Sequence, residues 1–111
     1  MELSDGSQSR HIRLKLYIGR CKDTCRAKVR VTNISRSNLF NARLTLSVKV
    51  NGKKMGSCTD YIGGINAKRV RWAACTIRTA KLDNYWDRWL DGDLSRWSPY
   101  VYAVTNYRYY V

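Results

Sequence analysis

Three runs of this chain alternate apolar and polar residues with a period of two, a pattern that a β-strand with one buried face satisfies and a helix does not. Ile12, Leu14, Leu16 and Ile18 stand against Arg13, Lys15, Tyr17 and Gly19. Cys25, Ala27, Val29 and Val31 stand against Arg26, Lys28, Arg30 and Thr32, and Ala42, Leu44, Leu46, Val48 and Val50 against Arg43, Thr45, Ser47 and Lys49. Turn-forming segments separate the runs: CKDTC at 21–25, SRSN at 35–38, Asn51-Gly52 and GGIN at 63–66. Asn-Gly between alternating runs predicts a two-residue hairpin with positive φ at both central residues. Pairing Val50 with Lys53 then sets Val48 opposite Met55 and Leu46 opposite Ser57. In AKRVRWAACTI, at 67–77, Val70 and Trp72 are expected inward against Arg69 and Arg71.

Residues 81–99 break the pattern. Leu82, Trp86, Trp89 or Leu90, and Leu94 fall at helical spacing, which predicts a short helix or looped insert near 83–91. Asp83 or Asn84 would cap it and Gly92 would end it. The Tyr- and Val-rich segment 100–111 is suited to a last strand, and the polar segment 1–9 is expected to be a flexible tail. The chain is then a single all-β domain over 10–111, an antiparallel sandwich of six or seven short strands. At 111 residues it is long enough for one modest core.

Four cysteines, Cys21, Cys25, Cys58 and Cys75, suit two disulfides better than a zinc site, because Cys58 and Cys75 form no close metal-binding pair and His11 is distant in sequence. Cys58 and Cys75 flank the 63–66 turn almost symmetrically, so a hairpin there would set them opposite each other. Closing that loop contributes about 3 kcal/mol in the chain-entropy picture. A tight hairpin joining Cys21 to Cys25 would place Leu16 opposite Arg30, on the wrong face of the pleat. Either a bulge shifts that register or the two strands are not neighbours. The crossed pairing, Cys25 to Cys75 with Cys21 to Cys58, stays open. Disulfides imply an oxidising compartment. The polar stretch MELSDGSQSR is no signal peptide, so a secreted protein would have lost its signal before this sequence begins. No run approaches the ~20 apolar residues of a membrane-spanning helix.

The stretch from Arg26 to Ile77 resembles the FxLYD-type immunoglobulin-like domains of bacterial surface and secreted proteins. Its Val31, Asn33 and Ser35 at a strand end, its Asn51-Gly52 turn after a long strand and its later Trp72 carry the likeness. The resemblance covers about half the chain, and the aromatic-rich 81–111 segment departs from it. It implies an immunoglobulin-like β-sandwich and a non-enzymatic extracellular module, with no catalytic residues to carry over.

The formal net charge is +13, and residues 1–80 carry all of it, with 17 of the 21 Lys and Arg against Glu2, Asp5, Asp23 and Asp60. Such asymmetry points to an anionic partner or a solvated strand face. Arg13 and Lys15, then Arg26, Lys28 and Arg30, then Arg43 and Lys49, then Lys68, Arg69 and Arg71 would merge into a patch if their strands are neighbours. Nine of the thirteen aromatics, Tyr85, Trp86, Trp89, Trp97, Tyr100, Tyr102, Tyr107, Tyr109 and Tyr110, crowd the last part of the chain, more than one core readily encloses. No histidine-based constellation supports catalysis, and no cofactor or metal is implied; Asp87, Asp91 and Asp93 read as a solvated loop. Asn33-Ile34-Ser35 is a glycosylation sequon, but a turn cap is the preferred reading.

The expected function is a secreted adaptor that docks a protein partner, as one subunit of a secreted assembly such as a toxin complex. Its contacts would be Trp86, Trp89, Trp97, Tyr100 and Tyr102 together with Arg26, Lys28, Arg30, Arg69 and Arg71. A small basic toxin or antimicrobial acting on envelopes or anionic glycans is the alternative. A nucleic-acid-binding β-domain comes third, because Tyr17 is the one aromatic expected among the outward cations.

Overall fold

The computed structural model describes residues 3–7 and 11–110, with side chains from His11 to Tyr109. Seven strands and one helix follow in the order β1 (Leu3–Ser7), β2 (Ile12–Cys21), β3 (Cys25–Asn33), β4 (Leu39–Val50), β5 (Lys53–Ile65), β6 (Val70–Ile77), α1 (Ala80–Leu90) and β7 (Pro99–Tyr110). They form two antiparallel sheets, β1-β7-β4-β5 and β2-β3-β6, so the fold is mostly antiparallel β with one short helix. The two sheets share one core. Val29, Val31 and Ala73 of the smaller sheet join Leu44, Leu46, Val48 and Val50 of the larger, all at most 2% exposed. The inward set read from the alternation of β4 is therefore the observed one. Ser47, expected on the wet face, is only 6% exposed, because its cross-strand partner is Tyr102.

Three local devices decide the registers. Asn51 and Gly52 adopt φ of +52° and +83°, as the hairpin requires. The Asn51 side chain also donates to Arg96 O and accepts from Ser98 N, each at 2.9 Å, which guides the chain into β7. Beyond this turn the expected pairing is corrected. A bulge in β5 sets Val48 opposite Gly56 and Leu46 opposite Cys58, not opposite Met55 and Ser57. The extra residue brings Cys58 onto the face of the buried Leu46, and the same parity turns Ile62 into the core. Gly56 is required at the bulge, since a Cβ there would sit 2.5 Å from Thr79 Cγ2.

Thr79 begins α1. Its hydroxyl donates to Met55 O at 2.7 Å and accepts from Leu82 N at 3.1 Å, so the helix starts at Ala80, three residues before the expected Asp83. The β5 carbonyl fixes Thr79 in place as the cap, which sequence spacing does not reveal. Gly92, at φ +83°, ends the helix as read, with its N–H on Trp89 O. The expected tail is also corrected. Residues 3–7 form β1 on the outer edge of β7, pairing Leu3 with Tyr110 through Ser7 with Asn106, while residues 1, 2, 8 and 9 lie outside the described residues. A polar segment can serve there because edge pairing is made by backbone groups.

Asn33 is fully buried at the end of β3. Its Nδ2 donates to Ser37 O at 2.7 Å and Ile65 O at 2.9 Å, and its Oδ1 accepts from Ser35 N and Ser35 Oγ. The sequon is thus a turn cap tying the 34–38 loop to the end of β5, and its amide is closed to glycan transfer in the folded chain. Asn33→Ala would strand several buried polar groups at once. It is expected to cost about 3 kcal/mol, read as a lower urea midpoint with an unchanged slope.

Candidate cationic binding face

The Cys58–Cys75 disulfide joins β5 to β6, which belong to different sheets, with Cα atoms 6.2 Å apart. The sequence expectation of a cross-strand bridge in one hairpin is therefore corrected: the 66–69 turn passes the chain from one sheet to the other. The same seam carries two further ties. Asp60 Oδ2 accepts from Ala74 N at 3.0 Å, and Arg71 Nη2 donates to Ile62 O at 3.2 Å. Both edges of the seam thereby find partners for groups that a bare edge would leave open.

This bridge sets the outward face of β6. Cys75 must face the other sheet, and period two then turns Ala73 and Ile77 inward, at 2% and 1% exposure. Trp72, Ala74 and Thr76 go outward. Trp72, expected inward, is 53% exposed and sits opposite Arg30 of β3. Val70 is also exposed.

β2 joins the same sheet through a bulge between Ile18 and Cys21. It matches Leu16 with Val29 and Leu14 with Val31 while still letting Cys21 pair with Cys25, to which it is disulfide-bonded. Of the two resolutions left open by the sequence, the bulge is the one realised. Arg13, Lys15 and Tyr17 are consequently set beside Thr32, Arg30 and Lys28 on the outer face.

The outer face of β2-β3-β6 thus presents Arg13, Lys15, Arg26, Lys28 and Arg30 around two exposed rings. The three strands contain seven Lys and Arg and no Asp or Glu. Of these seven, Arg71 is committed to the seam and Arg20 is paired with Asp23 at 2.9 Å. The hydrogen bond from Arg20, backed by its charge, holds the exposed Asp23 carboxyl below the ordinary carboxylate value. The Tyr17 and Trp72 rings lean towards each other across β3, with centroids 5.8 Å apart and planes tilted by 39°. Lys15 Nζ lies 5.4 Å from the Tyr17 centroid and Lys28 Nζ 4.9 Å from that of Trp72. At the bulge, Tyr17, Gly19, Arg26 and Lys28 line a shallow recess of about 310 Å³.

The remaining predicted contact residues are distributed elsewhere. Arg69 lies in the turn before β6, where its backbone holds Asn33 N and Asn66 O. Trp86 and Trp97 meet edge to face at 5.0 Å, and Trp97 Nε1 donates to Cys21 O at 3.2 Å. With Tyr85, 6.1 Å from Trp97, they fasten α1 and the 93–98 segment to the Cys21–Cys25 turn. Trp89 is half-buried on the same helix. Tyr100 and Tyr102 stack with centroids 5.8 Å apart on the outer face of the other sheet, in register with Lys49 and Ser47. The aromatic and basic groups expected to act together thus occupy three places. Sequence alternation groups Trp72 with Val70, but the parity of β6 is fixed by Cys75, whose partner Cys58 lies in the other sheet.

No protein-family model and no curated protein matches this chain. Among solved structures it is similar to "Crystal structure of protein from Archaeoglobus fulgidus", at 10% identity and a TM-score of 0.46, over 85% of this chain and 94% of that one. At that level the likeness assigns neither topology nor role.

Because Trp72 is a surface residue, Trp72→Ala should cost about 1 kcal/mol or less, the value of an exposed ring and its ammonium contact. Leu46→Ala, in the core, should cost about 3 kcal/mol. Thermal melts of the two variants, with disulfides intact, check this difference.

Proposed function

We propose that this protein is a secreted, non-enzymatic binding module of immunoglobulin-like type whose working surface is the outer face of β2-β3-β6 and whose ligand is an anionic polymer. One observation carries the reading: five cations surround two exposed rings on a sheet face whose strands hold no carboxylate. Lys15 and Arg30 are direct cross-strand partners, as are Arg13 and Thr32 and Tyr17 and Lys28. The like-charged Lys15–Arg30 pair, with Arg26 and Lys28 along the same strand as Arg30, weakens the sheet, and a bound polyanion relieves that repulsion. The two disulfides support an oxidising location. The one histidine, His11, is hydrogen-bonded to the Tyr107 hydroxyl at 2.8 Å, which supports a structural role for it.

An adaptor role towards a protein partner keeps support from one separate feature, the stacked pair of Tyr100, 62% exposed, and Tyr102 on the larger sheet. That pair would act as a second surface, independent of the cationic face.

The polyanion reading is tested with long-chain polyphosphate, which offers charge without rings. Its affinity should fall roughly ten- to hundredfold between about 50 and 200 mM salt. Replacing Arg26, Lys28 and Arg30 together by Gln should remove most of the affinity and flatten the salt slope. Replacing Lys53 and Lys54 on the other sheet should change it little. Equal losses from both sets would mean that net charge, and not this face, does the binding.

A further inference from the structure

Resting on that reading, we infer that the polymer is single-stranded nucleic acid, with bases stacked on Tyr17 and Trp72 and phosphates held by the β3 cations and the bulge recess. The rings and the charges form one pattern. Arg26, Lys28 and Arg30 follow one another along β3 at every second residue, about 6.6 Å apart along the strand. Tyr17 on β2 is the cross-strand partner of Lys28, and Trp72 on β6 is the partner of Arg30. The rings therefore flank the cationic row from both sides and close over it to 5.8 Å, too near to admit a third ring between them. Their exposed surfaces instead make a platform across the sheet. Cationic tracking of the backbone with aromatic stacking of bases is how proteins hold single strands without reading sequence.

The composition of the face separates this ligand from an anionic glycan. The cations alone would hold the sulfates or carboxylates of such a glycan, so the difference lies at the ring pair, where a stacked sugar ring is fixed by amide and carboxylate side chains that exchange hydrogen bonds with its hydroxyls. The strands β2, β3 and β6 hold no Asp, Glu or Gln, and their one Asn, Asn33, is buried with its amide fully engaged. Outward polar neighbours of the rings are Thr32 and Thr76 alone among uncharged hydrogen-bonding side chains. A π-face needs no such partners. In the free protein Lys15 and Lys28 rest over the rings. An arriving base takes the place of each ammonium, which moves to the adjoining phosphate, a stronger partner than the ring. The recess beside Tyr17, walled by Arg26 and Lys28 and opened by the side-chain-free Gly19, lies where the phosphate next to a base on Tyr17 would go. A duplex hides its base faces, so single strands should be preferred.

The test uses the whole disulfide-bonded protein and four probes at low salt, followed by fluorescence anisotropy: a labelled oligothymidylate of about twelve nucleotides, an abasic strand of the same length, a duplex, and a heparin fragment of matched charge. The oligothymidylate should bind at least roughly tenfold tighter than the abasic strand, as stacking of one or two bases provides. Trp72→Ala and Tyr17→Ala should erase that advantage and leave abasic binding unchanged, while Trp72→Phe retains part of it. The Arg26, Lys28, Arg30 replacement should weaken both strands alike. Equal binding of the oligothymidylate and the abasic strand, with the cation replacement still weakening both, would overturn the nucleic-acid assignment and leave the polyanion reading standing. Heparin bound more tightly than the oligothymidylate and weakened by ring loss would overturn it in favour of a glycan. No binding of any probe would remove both readings.

Discussion

The covalent bridge between Cys58 and Cys75 is the constraint on which the rest of the molecule turns. It lies between sheets, and so acts on geometry as well as on chain entropy. To reach it, β5 needs an extra residue at Met55–Gly56, and that bulge turns Cys58 to the inner side. The same bulge needs a glycine, because the Thr79 cap rests against it, and Thr79 in turn starts the helix. On the other strand, fixing Cys75 inward sends Trp72 outward to join Tyr17 over β3. One bond thus links the register of the larger sheet, the position of α1 and the chemistry of the smaller sheet's surface.

The smaller sheet shows how a stable fold can hold a repulsive surface. Lys15 faces Arg30 directly across the strands, and Arg26, Lys28 and Arg30 follow along one of them. Surface charges repel by only a few tenths of a kcal/mol per pair at ordinary salt. Each fully buried Val or Leu beneath contributes about 1.5–3 kcal/mol, so the core outweighs the surface easily. The sheet can therefore carry charges arranged for a ligand, and Arg20, set apart by its ion pair with Asp23, is excluded from that arrangement.

Much of this was legible from residue order. The inward sets of β3 and β4, the Asn51-Gly52 turn, both disulfide pairings among the open alternatives and the Gly92 helix stop follow from local rules and appear where expected, whereas of the β2 set Ile12 is buried, Leu14 and Leu16 are half-buried, and Ile18, expected inward, is 54% exposed where the bulge begins. The failures share a physical origin: each depends on a contact distant in sequence. Thr79 caps α1 because the Met55 carbonyl lies beneath it, residues 3–7 become a strand because β7 offers an edge, and β6 takes its parity from a partner in the other sheet. The site suffered most from the last of these. A single inverted strand removed Trp72 from the surface and left Tyr17 without its neighbour, while the conspicuous Trp86 and Trp97 proved to be glue around the Cys21–Cys25 turn.

The central claim, that the inter-sheet bridge turns a ring-and-cation face to solvent, is tested most directly by hydroxyl-radical footprinting of the oxidised protein with mass-spectrometric readout. Tyr17, Trp72 and Tyr100 should be modified rapidly, and Tyr107 and Leu82 should be spared. A Trp72 as protected as Leu82 while both disulfides are intact would contradict it.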